Sequence, residues 1–169
     1  MTANGFVPAR KKWVWIGLAA LVAAVLLFAM ALRTTTRSAT GLNPAAYTEE
    51  TPEGFHYAVT ASAAGGALTV TGWACIEGER MLTVDNWVVL YDPARDTYLR
   101  LPTTAEVNEA PTALINDGLV YGRAGLTAIV PVSQLEVPLS RYELCFAYAS
   151  NGHNALIHTG EFLAGEGIL

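Results

Sequence analysis

The chain has 169 residues, a formal net charge of −5 at pH 7, and a hydrophobic fraction of 52%. All fifteen acidic residues follow residue 33, where they meet six arginines and no lysine, so the composition argues against a nucleic-acid partner, which requires clustered basic side chains. The part of the chain after residue 33 is long enough for one folded domain with one core and too short for two.

An uninterrupted apolar stretch covers residues 13–32 and contains no charged side chain. At about 1.5 Å per residue, a helix of this length spans roughly 30 Å, the thickness of the hydrocarbon core of a bilayer. Trp13 and Trp15 occupy the position of an interfacial aromatic anchor. The stretch therefore predicts a transmembrane helix over residues 13–32, preceded by a short N-terminus of residues 1–12.

The charges that flank this helix predict its orientation. Basic residues occupy positions 10–12 before the helix, and Arg33 and Arg37 follow it. This bias favours a cytoplasmic N-terminus and a C-terminal domain outside the cytoplasm, with the chain anchored in the cell membrane by a single pass. The alternative is a cleaved signal peptide, since residues 29–31 have the small-x-small form of a cleavage site, although the apolar regions of such peptides usually span about 7–15 residues.

Small residues recur four positions apart within the predicted helix. Ala19 and Ala23, Ala20 and Ala24, together with Gly17, form a face that would allow the close approach of another helix. Alanine is also common in membrane spans that have no packing role, so both interpretations stay open.

The remainder of the chain predicts a linker followed by a β domain. Residues 33–46 are expected to be a linker, because residues 34–44 are small and polar and lack apolar periodicity. Residues 47–169 are expected to form one extracytoplasmic domain, in which short β-like runs alternate with turn residues. These runs cover residues 55–61, 67–76, 83–91, 96–101, 125–132, 141–150 and 155–163. Seven such runs predict an all-β, antiparallel sandwich.

Two local patterns refine this expectation. Leu144 and Phe146 alternate onto one face of the penultimate run, and Asn151-Gly152 supplies the residues that a tight hairpin turn requires. With a two-residue turn, Cys145 and His158 face each other across this hairpin. Residues 103–106, Thr-Thr-Ala-Glu, fit a capping box, which predicts a turn or two of helix after Pro102.

Cys75, Trp87 and Cys145 occur in an order and spacing that resemble the Cys…Trp…Cys signature of immunoglobulin-type domains, over residues 55–163. The resemblance implies an immunoglobulin-like sandwich with a bridge between its sheets beside a core tryptophan. A disulfide between Cys75 and Cys145 is expected, because paired cysteines are usual in small domains outside the cytoplasm. Strand alternation, however, places Cys75 on the polar face of its run and places Cys145 on the face opposite to that of Leu144 and Phe146. A bridge between neighbouring strands and two free thiols therefore remain alternatives.

A shorter similarity connects the chain to the bacterial cell envelope. The stretch Val-Thr-Gly-Trp-Ala at residues 70–74 is similar to sandwich modules attached to envelope and surface-polysaccharide proteins. This similarity implies an extracytoplasmic location and leaves a glycan as one conceivable ligand.

The residues that could carry chemistry predict no catalysis. His56, His153 and His158 do not have the spacing of metal ligands, so neither a metal nor another cofactor is expected. A Cys145–His158 pair would lack an oxyanion hole and a third orienting group. The chain is therefore expected not to be an enzyme.

We expect the chain to be a non-enzymatic interaction or accessory subunit of a membrane complex in the envelope. In an immunoglobulin-type sandwich, two loops would lie beside the N-terminal tether and face the membrane. The candidate partner-binding residues in these loops are Glu77, Glu79, Arg80, Asn151, His153 and Asn154. The alternative is a carbohydrate-binding module that uses exposed aromatic rings such as Trp73, Tyr91 or Tyr98.

Overall fold

The structure is a computed structural model that describes residues 11–35 and 38–163. The chain divides into two units, of which the first contains one helix and the second contains every strand described. The helix, α1, covers Lys11–Thr35, and its segment Trp13–Ala31 is long and apolar enough to cross a membrane. The predicted apolar helix is therefore confirmed, while the N-terminal residues 1–10 lie outside the described part of the chain.

In its described residues, 38–163, the second unit contains nine strands and a short helix, α2, at Ala110–Ile115. The strands are β1 Thr40–Leu42, β2 Phe55–Ala64, β3 Ala67–Ile76, β4 Asn86–Asp92, β5 Thr97–Arg100, β6 Thr103–Glu106, β7 Gly125–Pro131, β8 Glu143–Tyr148 and β9 Ala155–Phe162. They form a five-stranded sheet in the order β1-β5-β4-β8-β9 and a four-stranded sheet in the order β2-β3-β7-β6, with antiparallel pairing between all neighbours. All seven predicted strands are present, and the two sheets fit a β-sandwich.

The two remaining strands were not predicted. Strand β1 lies within the expected linker, and β6 occupies the residues for which a short helix was expected. That helix prediction is wrong because the hydroxyl of Thr103 does not cap a helix: it accepts a hydrogen bond from the Val88 backbone N–H at 3.0 Å and donates one to the carbonyl of Leu101. The short helix begins later, at Ala110, with Pro111 in its first turn.

The main core lies between the two sheets and follows strand alternation. Val70, Val88, Leu90 and Phe146 point into it and are buried, with side chains from both sheets contributing. Burying these apolar groups supplies most of the driving force for the fold. Trp87, which the resemblance placed in this core, lies instead on the outer face of the five-stranded sheet, because its neighbours in β4 occupy the inward positions.

Each sheet also carries a small apolar cluster on its outer face. The Cys75 cluster on the four-stranded sheet consists of Trp73, Cys75, Met81, Tyr121 and Ala124. The Cys145 cluster on the five-stranded sheet consists of Val89, Cys145 and Ala147. Partly buried apolar side chains from other parts of the chain pack against each cluster, so apolar groups are buried on both outer faces as well as between the sheets.

The predicted disulfide is absent from the structure, in which Cys75 and Cys145 are both free and buried. The two cysteines belong to β3 and β8, which lie in different sheets, and both point to the outer face of their sheet. The main core therefore separates the two thiols. Strand alternation indicated these orientations correctly, whereas the spacing of the cysteines along the sequence did not.

A segment of residues 43–49 crosses the outer face of the five-stranded sheet. It leaves β1 at one edge of the sheet, and Glu49 forms a bridge with Ala155 in β9 at the other edge. Between these points Tyr47 packs against the Cys145 cluster. We call residues 43–49 the crossing segment, and it is the cover of that cluster.

Candidate functional site

The loops that the sequence indicated as a working surface lie together at one end of the sandwich. They are residues 77–85, between β3 and β4, and residues 149–154, between β8 and β9. Strand β2 starts at the same end, where the Glu77 backbone N–H donates to the carbonyl of Gly54 at 2.9 Å. We call this region the loop end.

Asn151 joins the two loops. Its backbone is in the left-handed region, with φ of 57°, which asparagine tolerates better than most residues. Its side-chain oxygen accepts hydrogen bonds from the backbone N–H groups of Leu82 and Thr83 at 3.0 and 3.2 Å. Its amide nitrogen donates to the Arg80 carbonyl at 2.9 Å and to a Glu79 carboxylate oxygen at 3.2 Å. One asparagine thus fixes the conformation of the β3–β4 loop.

His153 lies between two carboxylates. Its Nδ1 is 3.0 Å from Glu49 Oε2, and its Nε2 is 3.1 Å from Glu79 Oε1. The hydrogen bond to Glu49 is the main reason that the pKa of His153 is raised above its usual value, and Glu79 adds to it. The same hydrogen bond lowers the pKa of Glu49. A protonated His153 therefore links the crossing segment to both loops.

Asn154 makes the second attachment of the crossing segment. Its side-chain nitrogen donates to the Ala46 carbonyl at 2.8 Å, and its own carbonyl accepts the backbone N–H groups of Thr48 and Glu49, both at 3.1 Å. Asn154 therefore holds the crossing segment through three hydrogen bonds.

The side chains of Glu77 and Arg80, the other two candidates, stand apart from this network. Glu77 directs its carboxylate to His56 on β2, 3.0 Å from Nε2, and both side chains are largely exposed. Arg80 is exposed and contributes only its backbone carbonyl to Asn151. The structure thus brings Glu79, Asn151 and His153 together, with Asn154 beside them.

The network also contains residues that the sequence did not indicate. The hydroxyl of buried Tyr121 donates to Asp117 and accepts the Gly78 backbone N–H at 2.7 Å. Burial and the contact with Asp117 raise the pKa of Tyr121 to about 12. From the same part of the chain, Arg123 Nη1 donates to the Leu82 carbonyl at 3.3 Å. Tyr121 and Asp117 lie about 40 residues from Gly78 in the sequence, and no local sequence pattern indicates that they contact it.

Large apolar side chains are exposed around this network. Leu82 in the β3–β4 loop is 74% exposed, and Val120, which precedes Tyr121, is 69% exposed. Val107 and Leu114 on the same β6–β7 connection are exposed to a similar degree. Asn151 binds the backbone N–H of Leu82, and Tyr121, the residue after Val120, is bound to Gly78 and Thr112, so Leu82 and Val120 project from backbone that hydrogen bonds hold.

A second group of polar side chains lies on the outer face of the five-stranded sheet. The register pairs Cys145 with His158, as the hairpin turn predicted, and Glu143 lies two residues before Cys145. His158 Nδ1 is 3.5 Å from Cys145 Sγ and 3.2 Å from Glu143 Oε2. Burial and the neighbouring Glu143 raise the pKa of the Cys145 thiol. An oxygen, a nitrogen and a sulfur thus converge on one point.

The rings considered for carbohydrate binding do not form a flat platform. Trp73 is only 4% exposed and belongs to the Cys75 cluster. Tyr91 and Tyr98 are half-buried and stack on each other, with ring centroids 4.3 Å apart, while His158 contacts both rings edge-on. Each tyrosine ring therefore has one face covered by the other.

The small residues proposed for helix packing all lie on α1. Gly17, Ala19, Ala20, Ala23 and Ala24 are exposed in the single chain. Their role in packing against another helix stays a prediction.

Comparisons of the chain with protein-family models, with curated proteins and with solved structures find no match. The class that the structure defines is a protein with an apolar helix of membrane-spanning length and a domain of two antiparallel sheets.

Proposed function

We propose that the protein is a single-pass membrane protein that presents an immunoglobulin-like sandwich as a non-enzymatic interaction subunit of an envelope membrane complex. In this proposal α1 is the anchor, the basic residues before it stay in the cytoplasm, and the strands fold outside. The partner is a membrane protein of the same envelope.

The strand order supports the immunoglobulin-like assignment. In chain order from β2, the four-stranded sheet has the order A-B-E-D, and strands β5-β4-β8-β9 have the order C′-C-F-G. Strand β1 extends the second sheet beyond C′, at the position that C″ takes in variable-type domains. The assignment rests on this order and on antiparallel pairing throughout.

The observation that carries the functional proposal is the fixed, outward position of Leu82. Asn151 binds the Leu82 backbone N–H, Arg123 binds its carbonyl, and the side chain remains 74% exposed. An apolar side chain held outward on rigid backbone loses little conformational entropy when a partner covers it, which favours binding. In this proposal Leu82 and Val120 contact the partner, and Glu79, Asn151 and His153 hold the surface in shape.

The proposal is tested by purifying the full chain from its own membranes in mild detergent and quantifying the co-purifying membrane protein by mass spectrometry. Leu82→Asp combined with Val120→Asp is expected to reduce recovery of the partner at least about tenfold, because burying a charge against an apolar surface is costly. The thermal melting temperature should not change, since both side chains are already exposed.

The matched control is Ile129→Asp. Ile129 is also an exposed apolar residue, but it lies on β7 and not at the loop end. Undiminished recovery with the double variant, or an equal loss with Ile129→Asp, would refute the loop end as the interaction surface.

A further inference from the structure

We propose that Glu143, Cys145 and His158 form a binding site for a zinc ion. The site lies on the outer face of the five-stranded sheet and does not depend on the interaction proposed for the loop end. Its ligand atoms would be one carboxylate oxygen of Glu143, the Cys145 sulfur and His158 Nδ1.

Two of the three distances among the donor atoms, both from His158 Nδ1, are close to those in a zinc site. Tetrahedral zinc with a sulfur ligand at about 2.3 Å and nitrogen and oxygen ligands at about 2.0–2.2 Å has donor atoms about 3.3–3.6 Å apart. The structure has 3.5 Å between Cys145 Sγ and His158 Nδ1, and 3.2 Å between His158 Nδ1 and Glu143 Oε2. All three donor atoms lie within 4.8 Å of one another. The two pairs that include His158 Nδ1 are therefore already near tetrahedral separations, and the thiol and the carboxylate need only come within about 3.6 Å of each other.

The types of donor select the ion. A thiolate and an imidazole are ligands that zinc accepts readily, while magnesium and calcium prefer sites made of oxygen atoms. Three protein ligands leave the fourth position for water or an external ligand. The side chain of His158 is 40% exposed, whereas those of Glu143 and Cys145 are buried, so the ion would enter from the side of His158.

Neighbouring groups hold two of the three ligands in the required orientation. The backbone N–H of Gly160 donates to Glu143 Oε1 at 2.9 Å, and both carboxylate oxygens face His158 Nδ1, Oε1 at 3.3 Å and Oε2 at 3.2 Å, so Oε2 is free to bind the ion. The hydroxyl of Tyr98 lies 3.3 Å from His158 Nε2. When Nε2–H donates to this hydroxyl, the lone pair of Nδ1 is free for the metal, which is how outer partners commonly position a histidine ligand.

The experiment uses the full chain in detergent after treatment with a chelator, and Co²⁺ as a spectroscopic probe that zinc should displace. We expect one Co²⁺ per chain, with visible bands of tetrahedral cobalt and a near-ultraviolet thiolate-to-cobalt charge-transfer band. Cys145→Ala should abolish the charge-transfer band, and His158→Ala should weaken binding at least tenfold. Tyr98→Phe, which removes only the outer partner, should weaken binding about 10–100-fold.

Cys75→Ala is the matched control, because Cys75 is the other buried thiol and should not contribute to the band. Since the side chain of His158 is partly exposed, His158→Ala is expected to keep the fold. It therefore tests the site even if the Cys145→Ala chain misfolds. Absence of a charge-transfer band in the wild-type chain, its persistence in Cys145→Ala, or its loss in a folded Cys75→Ala chain would overturn the proposal.

Discussion

Both cysteines face a histidine across an antiparallel strand pair, with a glutamate two residues away, yet the two settings differ. In the first, Cys75 pairs with His56, and His56 contacts Glu77 where both side chains are exposed. In the second, the donor atoms of Glu143, Cys145 and His158 converge within 4.8 Å, a condition that the first set does not meet within the described part of the chain. The same three residue types, with cysteine and histidine in register and the glutamate two residues after Cys75 or two before Cys145, therefore give a convergent site only where the carboxylate is buried beside the thiol.

The segments that cover the two outer clusters also differ in whether their attachments are buried or near the surface. The Cys75 cluster is closed by long connections that the buried hydroxyl of Tyr121 ties to Gly78. The Cys145 cluster is crossed by residues 43–49, whose attachments to His153 and Asn154 lie near the surface. The cover of the Cys75 cluster is thus held by a hydrogen bond to a buried tyrosine. The cover of the Cys145 cluster is held by polar contacts near the surface, which respond to solvent conditions.

Thiol labelling gives an all-or-none test of this picture. In the native full chain neither cysteine should react within the time of the assay, because both are buried and burial raises the pKa of Cys75 to about 12 and also raises that of Cys145. In denaturant without reductant, both thiols should react, because both are free. Mass spectrometry counts the labels, and an unlabelled denatured chain would show that a disulfide exists after all.

The two tryptophans on the outer faces should differ strongly in their contribution to stability. Trp73→Ala removes a buried side chain from the Cys75 cluster and is expected to lower the free energy of unfolding by about 3–5 kcal/mol. Trp87→Ala should lower it by about 1–2 kcal/mol, because Trp87 is only half-buried and one of its contacts is Arg100, whose guanidinium carbon lies 4.5 Å from the ring centroid. Urea unfolding of both variants measures the difference, and an equal or larger loss for Trp87→Ala would contradict the assignment of the two faces.

Replacing each cysteine by serine should reveal that the surroundings of Cys145 are more polar than those of Cys75. In the Cys75 cluster the new hydroxyl of Cys75→Ser would lie among apolar side chains, which is expected to cost about 1–3 kcal/mol. In Cys145→Ser it would find His158 Nδ1 as a partner, so the loss should be below about 1 kcal/mol. Urea unfolding with a chelator present measures both, and the reverse order would show that the Cys145 cluster is the more apolar one.

The sequence predicted what depends on local periodicity. The alternation of β8 and the Asn151-Gly152 turn were sufficient to place Cys145 opposite His158, and the same alternation implies that Glu143 shares their face. Strand β1 has no apolar period and exists because it pairs with β5. Thr103 fits a helix-capping pattern, but in the structure its hydroxyl accepts a hydrogen bond from the backbone N–H of Val88, which is distant in sequence. Contacts of this second kind, Tyr121 with Gly78 included, have no signature in a single sequence.

The smallest expected effect is the pH dependence of the crossing segment. The pKa of His153 is raised above 6.5, so the stability it contributes is fully present below about pH 6.5 and is lost as the pH rises through the folded-state value. The pKa of Glu49 is lowered from 4.5, so its contribution is present above about pH 4.5 and is lost as the pH falls through its folded-state value. Their hydrogen bond should therefore be strongest between about pH 4.5 and 6.5. Tyr121, with a pKa of about 12, keeps its proton throughout this range and well above it.

His153→Gln should consequently destabilise the chain by less than about 1 kcal/mol near pH 6, and by still less near pH 9. Amide protection factors localise the effect: on raising the pH, the N–H groups of Thr48 and Glu49 should lose protection, while that of Gly78, bound to Tyr121, should not. In a Glu49→Gln background the pH dependence of the His153 substitution should shrink, because the main cause of the raised pKa of His153 is gone. A destabilisation that is the same at both pH values, or equal loss of protection at Gly78, would mean that the two covers are held in the same way.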